Sequence, residues 1–150
     1  MNYDLPALSP ARRWRQVAAD AIALTKPKVV ALLLFTTFAA MFLTPKGLPP
    51  LGLVLVTMLG GYLMAGGAGA VNMAYDHDID KVLSNRTRIR PVAAGRVSPN
   101  VALAFGLSLG ALSFLLFAVF VNLLAAVLSL VGFFYYTVIY TMWLKRSTPQ

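Results

Sequence analysis

Two long stretches without a single charge limit this chain more than any other feature. Residues 51–74 hold twenty-four positions without Asp, Glu, Lys or Arg, and residues 101–144 hold forty-four. A bilayer core takes about 20 helical residues to cross. The first run therefore suits one crossing. The second is long enough for two, with a turn expected near Asn122. A shorter run, residues 29–43 between Lys28 and Lys46, reaches crossing length when extended to 25–44. In lipid every backbone polar group must find its partner within the protein, so a crossing is a helix or part of a closed barrel. These runs lack the alternation of barrel strands. The expected fold is an all-α, polytopic transmembrane bundle of four helices, at about 25–44, 51–82, 99–120 and 122–144. A tail of residues 1–24 precedes them.

Composition agrees, with 59% hydrophobic and only 12% charged residues. There is no cysteine, so neither disulfide nor thiol chemistry is available. The net charge of +8 does not point to nucleic acid once its distribution is read. Five basic residues precede or open the first helix (Arg12, Arg13, Arg15, Lys26 and Lys28), and five more close the second or follow it before the third (Lys81, Arg86, Arg88, Arg90 and Arg96). One lies between the first and second, none between the third and fourth, and two follow the fourth. Positive loops stay on the cytoplasmic side. Both ends and the loop at 83–97 are therefore expected inside, with the basic residues serving topology and lipid headgroups. The segment ARRWRQVAADAIAL has the character of a short interfacial helix. Thr25 is expected to cap the first helix, with Pro27 in its first turn. Ser98 and Pro99 read as the cap and first position of the third.

Against this background the stretch NMAYDHDID, residues 72–80, stands out. The chain has no glutamate and five aspartates, of which Asp76, Asp78 and Asp80 lie here. Asn72, Asp76 and Asp80 are spaced i, i+4, i+8. On a helix they share one face, each about 6 Å from the last. Asp78 is turned about 200° away from Asp76. Carboxylates one turn apart repel each other, and the C-terminal end of a helix disfavours anions. Local structure gains nothing from the arrangement. A hard cation reverses the sign, and Mg²⁺ typically takes one or two carboxylates together with phosphate oxygens. The plain alternative is a solvated segment whose aspartates pair with nearby arginines. Asn72, a polar side chain inside an apolar run, favours a functional site.

The following segment, SNRTRIRPVAAGR, supplies Arg86 and Arg90 four residues apart, with Arg88 and Lys81 nearby. Guanidinium groups grip phosphate oxygens in pairs. Carboxylates for a metal followed by arginines form the inventory that a diphosphate needs. Upstream, Ala65, Ala68 and Gly69 continue the face of Asn72. They read first as close helix packing, and second as a smooth groove for an isoprenoid tail. His77, the only histidine, reads as an exposed residue before it reads as a haem ligand or proton carrier. The aromatics of FFYYTVIYTMW form an interfacial belt or packing surface, or shield a cation with their π faces.

The NxxxDxxxD pattern of Asn72, Asp76 and Asp80 resembles the hallmark of the UbiA-type intramembrane prenyltransferase superfamily. LTKPKVVALLLFTTFAAMFL, the DxDID form at Asp76–Asp80, RTRIRPVAAGR and YTMWLKRSTPQ are similar to its protohaem IX farnesyltransferase (haem O synthase) branch. The resemblance runs from about residue 20 to 150. It implies nine transmembrane helices around a cavity open to lipid, with two Asp-rich motifs binding a diphosphate through Mg²⁺. It further implies transfer of a farnesyl group from farnesyl diphosphate to a vinyl group of haem B. Asn72, Asp76 and Asp80 would then hold Mg²⁺ and diphosphate, Arg86 and Arg90 would stabilise the leaving group, and Lys26 and Lys28 would assist. The setting implied is a bacterial inner membrane, with haem A synthase or terminal oxidase assembly factors as neighbours. The chain has four of the nine helices and lacks the second Asp-rich motif. KRSTPQ reads as a loop cut partway, so the expectation is an N-terminal part that does not complete catalysis alone. Two other readings stand beside this one: a prenyltransferase for a quinone precursor such as 4-hydroxybenzoate, and a transporter using the acidic stripe for cations.

Overall fold

A computed structural model describes residues 10–44, 47–144 and 147, with side chains from residue 13 onward. The topology charges Lys46, Lys145 and Arg146, the side chain of Arg12, and most of the KRSTPQ end lie outside the described residues. Among the described residues seven α-helices follow in order: α1 (Pro10–Leu24), α2 (Pro27–Phe42), α3 (Leu51–Tyr75), α4 (His77–Leu83), α5 (Asn85–Arg88), α6 (Pro99–Phe120) and α7 (Leu123–Phe134). The last continues as a π-helical segment, Tyr135–Leu144.

Three of these are long and apolar enough to cross a membrane: α3, α6, and α7 with its continuation. The expected fourth crossing is shorter. α2 has 16 residues, about 24 Å at 1.5 Å each. The chain bends just before it, where Lys26 takes a left-handed conformation with φ 52°, and Pro27 follows at the first helical position. Thr25 does not cap α2 as expected. Its hydroxyl donates back to the Ile22 carbonyl at 2.8 Å and lies 2.8 Å from the Tyr62 hydroxyl. The cap expected at Ser98 forms, and Asn122, expected only as the place of the turn, is a cap as well. The Ser98 hydroxyl accepts from the Val101 N–H ahead of Pro99, and the Asn122 amide oxygen accepts from the Ala125 N–H. Asn122 thereby makes the turn between α6 and α7.

α3 is the axle of the bundle. It packs most extensively on α6 and also touches α1, α2, α7 and the π-helical segment. Its small residues explain the closeness to α6. A Cβ added at Gly67 would lie 2.6 Å from the Gly106 carbonyl oxygen, and one at Gly106 would lie 2.6 Å from the Gly67 carbonyl oxygen. Without a hydrophobic drive between helices in lipid, such backbone approach supplies the packing. Around it gather Leu24, Ala70, Met73, Ala74, Val92 and Ala102 on one side, and Met64, Ala68, Val71 and Phe133 on the other. Large apolar side chains such as Leu32, Phe35, Leu112, Leu115 and Leu128 point outward, as a lipid-facing surface requires.

Gly67→Ala is expected to force α3 and α6 apart and destabilise the bundle by about 1–3 kcal/mol. Thermal or SDS-induced unfolding in detergent micelles reads this directly, and an unchanged midpoint would show that the backbones do not touch as described.

Candidate functional site

The acidic stripe lies where α3 ends. A single helix was expected to run through it to about Val82. Instead α3 stops at Tyr75, Asp76 sits at the joint with φ −85° and ψ 4°, and α4 begins at His77. The helical register nonetheless survives the break. The Asp76 N–H donates to the Asn72 carbonyl at 2.9 Å, and the Asp80 N–H to the Asp76 carbonyl at 2.8 Å. Asn72, Asp76 and Asp80 therefore share one face, which points into the protein: Asp76 is 0% and Asp80 1% exposed. Asp78 is exposed on another side.

Asn72 is the hub. Its Oδ1 accepts a hydrogen bond from Lys26 Nζ. Its Nδ2 donates to Asp76 Oδ2 at 2.8 Å and to Thr141 Oγ1 at 3.1 Å. Thr141 Oγ1 in turn donates to the Tyr136 carbonyl at 3.0 Å, within the π-helical segment. One amide thus joins α3, the start of α2 and the end of α7. Sequence reasoning passes over Thr141, although the usable signal is there: Thr137 and Thr141 are polar, four apart, and buried within an uncharged run.

At the other end of the stripe, Arg90 Nη1 donates to both carboxylate oxygens of Asp80, each at 2.8 Å. The Asp80 carbonyl accepts from Thr87 Oγ1 at 2.8 Å, fastening α5 beneath α4. Ser84 caps α5 through the Thr87 N–H. Arg90 is therefore brought to the stripe. Arg86 and Lys28 are not: both are exposed, and among the described residues neither forms a hydrogen bond to it. His77 is half-buried and its Nδ1 donates to the Ala74 carbonyl at 2.8 Å. Arg96 Nε donates to Asp20 at 3.0 Å, tying α1 to the loop before α6. Neither partner of that pair was singled out in the sequence for this role.

Beside the stripe a cavity of about 430 Å³ opens between α2, α3 and α7. Lys26 and Tyr136 line its polar end, and Ala65, Ala68 and Gly69 form part of its wall. Ala65, Ala68 and Gly69 thus leave room on their face of α3, while the closest helix packing is made by Gly67, which was not among the residues foreseen for it.

Residues 33–150 match the UbiA prenyltransferase family. The chain belongs to this family. Curated relatives named "Protoheme IX farnesyltransferase" are similar to it along most of its length. That of Symbiobacterium thermophilum is 56% identical over 133 residues, 89% of this chain and 44% of its own. That of Chloroflexus aurantiacus is 56% identical over 137 residues, 91% of this chain and 23% of its own. That of Streptomyces avermitilis is 55% identical over 129 residues, 86% and 42%. The chain thus spans less than half the length of these relatives. No solved structure matches.

With its three long apolar helices, this member of the UbiA family is an integral membrane protein. Its donor set fits Mg²⁺ in kind: Asn72 Oδ1 and the carboxylates of Asp76 and Asp80 are hard oxygens on one face. No group of three His, Cys, Asp or Glu converges among the described residues. Two carboxylates leave coordination positions for phosphate oxygens. Lys26 and Arg90 already hold Asn72 Oδ1 and Asp80, so both cations stand beside the oxygens that a metal would use.

Asp80 is buried and Arg90 is 30% exposed. Removing the guanidinium alone strands a buried carboxylate, at a cost of about 3 kcal/mol. Arg90→Ala should therefore destabilise the bundle, and adding Asp80→Asn should recover most of the loss. Detergent unfolding of both single variants and the double variant checks the coupling, and additive losses would contradict it.

Proposed function

We propose that this chain supplies the Asn72–Asp76–Asp80 side of the active site of a protohaem IX farnesyltransferase. The reaction moves a farnesyl group from farnesyl diphosphate to a vinyl group of haem B, and water then completes the hydroxyethylfarnesyl group of haem O. One observation carries the reading: a buried Asn–Asp–Asp face with two attendant cations, one of which, Lys26, also lines an apolar cavity. A long apolar chain with a diphosphate head needs both parts side by side. The names of the similar relatives favour haem over a quinone precursor as acceptor.

Mg²⁺ bound at Asn72, Asp76 and Asp80 would supply the positive charge that a departing diphosphate needs. The chain's own cations do the rest. Lys26 and Arg90, which hold Asn72 and Asp80 in this structure, would be the cations nearest to the diphosphate oxygens. When the bond between the allylic carbon and oxygen breaks, the electron pair leaves with the diphosphate, and these cations are set where that charge grows. Arg86 on α5 and Lys28 on α2, both exposed, are further candidate cations for the same anion. The allylic cation is left facing the cavity, away from water, for capture by the vinyl group. The setting proposed is a bacterial inner membrane with this polar end inside, near enzymes that take up haem O, such as haem A synthase or terminal oxidase assembly factors.

Asp76→Ala in the intact protein is expected to lower haem O formation by at least about 100-fold while membrane insertion is retained. Haem extraction with chromatography, alongside membrane fractionation, measures both. Full activity in a correctly inserted variant would remove Asp76 from the mechanism. Prenylated hydroxybenzoate in place of haem O would replace the acceptor.

A further inference from the structure

The geometry points to Phe117 as the residue that sets the length of isoprenoid chain this protein accepts; the inference rests on the farnesyl-transfer reading above. The cavity begins at Lys26, Gly69 and Tyr136 and reaches Thr37, Thr57 and Phe117 at its far end. Along α3, Gly69 and Thr57 are twelve residues apart, about 18 Å at helical rise. Along α2, Lys26 and Thr37 are eleven apart, about 16 Å. Of the lining residues, Phe117 is the one contributed by α6. Its ring crosses over α3 to reach a space otherwise walled by α2, α3 and α7.

That ring is seated closely on α3. It lies on Gly60, where an added Cβ would come within 2.7 Å of both Cε1 and Cζ of Phe117. One turn earlier on α6, the Ser113 hydroxyl donates to the Gly60 carbonyl at 2.7 Å and fixes the register of the two helices. Both Ser113 and Phe117 are buried. Gly60 gives the ring its seat, Ser113 holds the seat in place, and the ring narrows the cavity there, ahead of Thr57.

The lengths agree with three isoprene units. An extended covalent chain advances about 1.2 Å per bond, from the 3.3–3.6 Å that three backbone bonds span. The main chain of a fifteen-carbon farnesyl group then extends about 13 Å, and that of a twenty-carbon group about 18 Å. The ring lies over Gly60, nine residues from Gly69, about 14 Å at helical rise, so the shorter chain fits ahead of it. The longer one meets the ring.

The test is binding of non-hydrolysable isoprenyl diphosphate analogues with ten, fifteen and twenty carbons to the intact protein in lipid nanodiscs with Mg²⁺. The unaltered protein is expected to bind the fifteen-carbon analogue at least about tenfold more tightly than the twenty-carbon one. Phe117→Ala should remove or invert that ratio. The smaller, still apolar change Phe117→Leu should shift it partway, which guards against loss through misfolding. Gly60→Ala should push the ring into the cavity and weaken the fifteen-carbon analogue more than the ten-carbon one. Length preferences that stay the same in all three variants would overturn the role of Phe117 and leave the function proposed above standing. Failure of the unaltered protein to bind any of the analogues would overturn both.

Discussion

Two carboxylates withdrawn from water at the end of an apolar helix set the terms for the rest of this structure. A buried carboxylate is costly unless cations and donors surround it. Asp76 and Asp80 have Asn72, Lys26 and Arg90 about them. These partners come from far apart in the chain. Lys26 is placed by the bend before α2, Arg90 by the short α5 and the turn after it, and Thr141 behind Asn72 by the π-helical end of α7. The polar end of the bundle is organised by the need to keep that charge compensated.

The remainder of the bundle follows from how α3 divides its faces. On one side Gly67 meets Gly106, and the helices touch backbone to backbone. On another, Ala65, Ala68 and Gly69 leave a wall without bulk, and the cavity forms there. The axis that brings the acidic face to the membrane edge thus also opens an apolar space directly below it. Lys26 belongs to both, since it bonds Asn72 and lines the cavity. A head group and its tail would meet at that lysine.

Periodicity made much of this legible. The i, i+4, i+8 spacing places Asn72, Asp76 and Asp80 on one face and Asp78 elsewhere, and the buried and exposed positions agree. Ser98, Pro99 and Asn122 mark real helix starts because a side-chain cap is a local event. What escaped was long-range or conformational. The break at Asp76 keeps the i+4 hydrogen bonds and so leaves no mark on the hydrophobic pattern. Lys26 in a left-handed conformation is not signalled by its residue type, and Thr25 spends its hydroxyl on Ile22 and Tyr62 instead of a cap. Of the two arginines at i, i+4, only Arg90 meets the stripe, because α5 ends between them and turns them apart. The pairings of Asn72 with Thr141 and of Asp20 with Arg96 join residues 69 and 76 positions apart, which no local pattern encodes.

The central claim is that Asn72, Asp76 and Asp80 hold a divalent metal together with a diphosphate. Mn²⁺ in place of Mg²⁺ tests it most directly, by pulsed electron paramagnetic resonance on the intact protein with a non-hydrolysable farnesyl diphosphate analogue. The account expects a bound Mn²⁺ signal with phosphorus hyperfine coupling, lost in Asp76→Ala. A phosphorus-coupled signal that persists unchanged in that variant, or no bound Mn²⁺ in the unaltered protein, would contradict it.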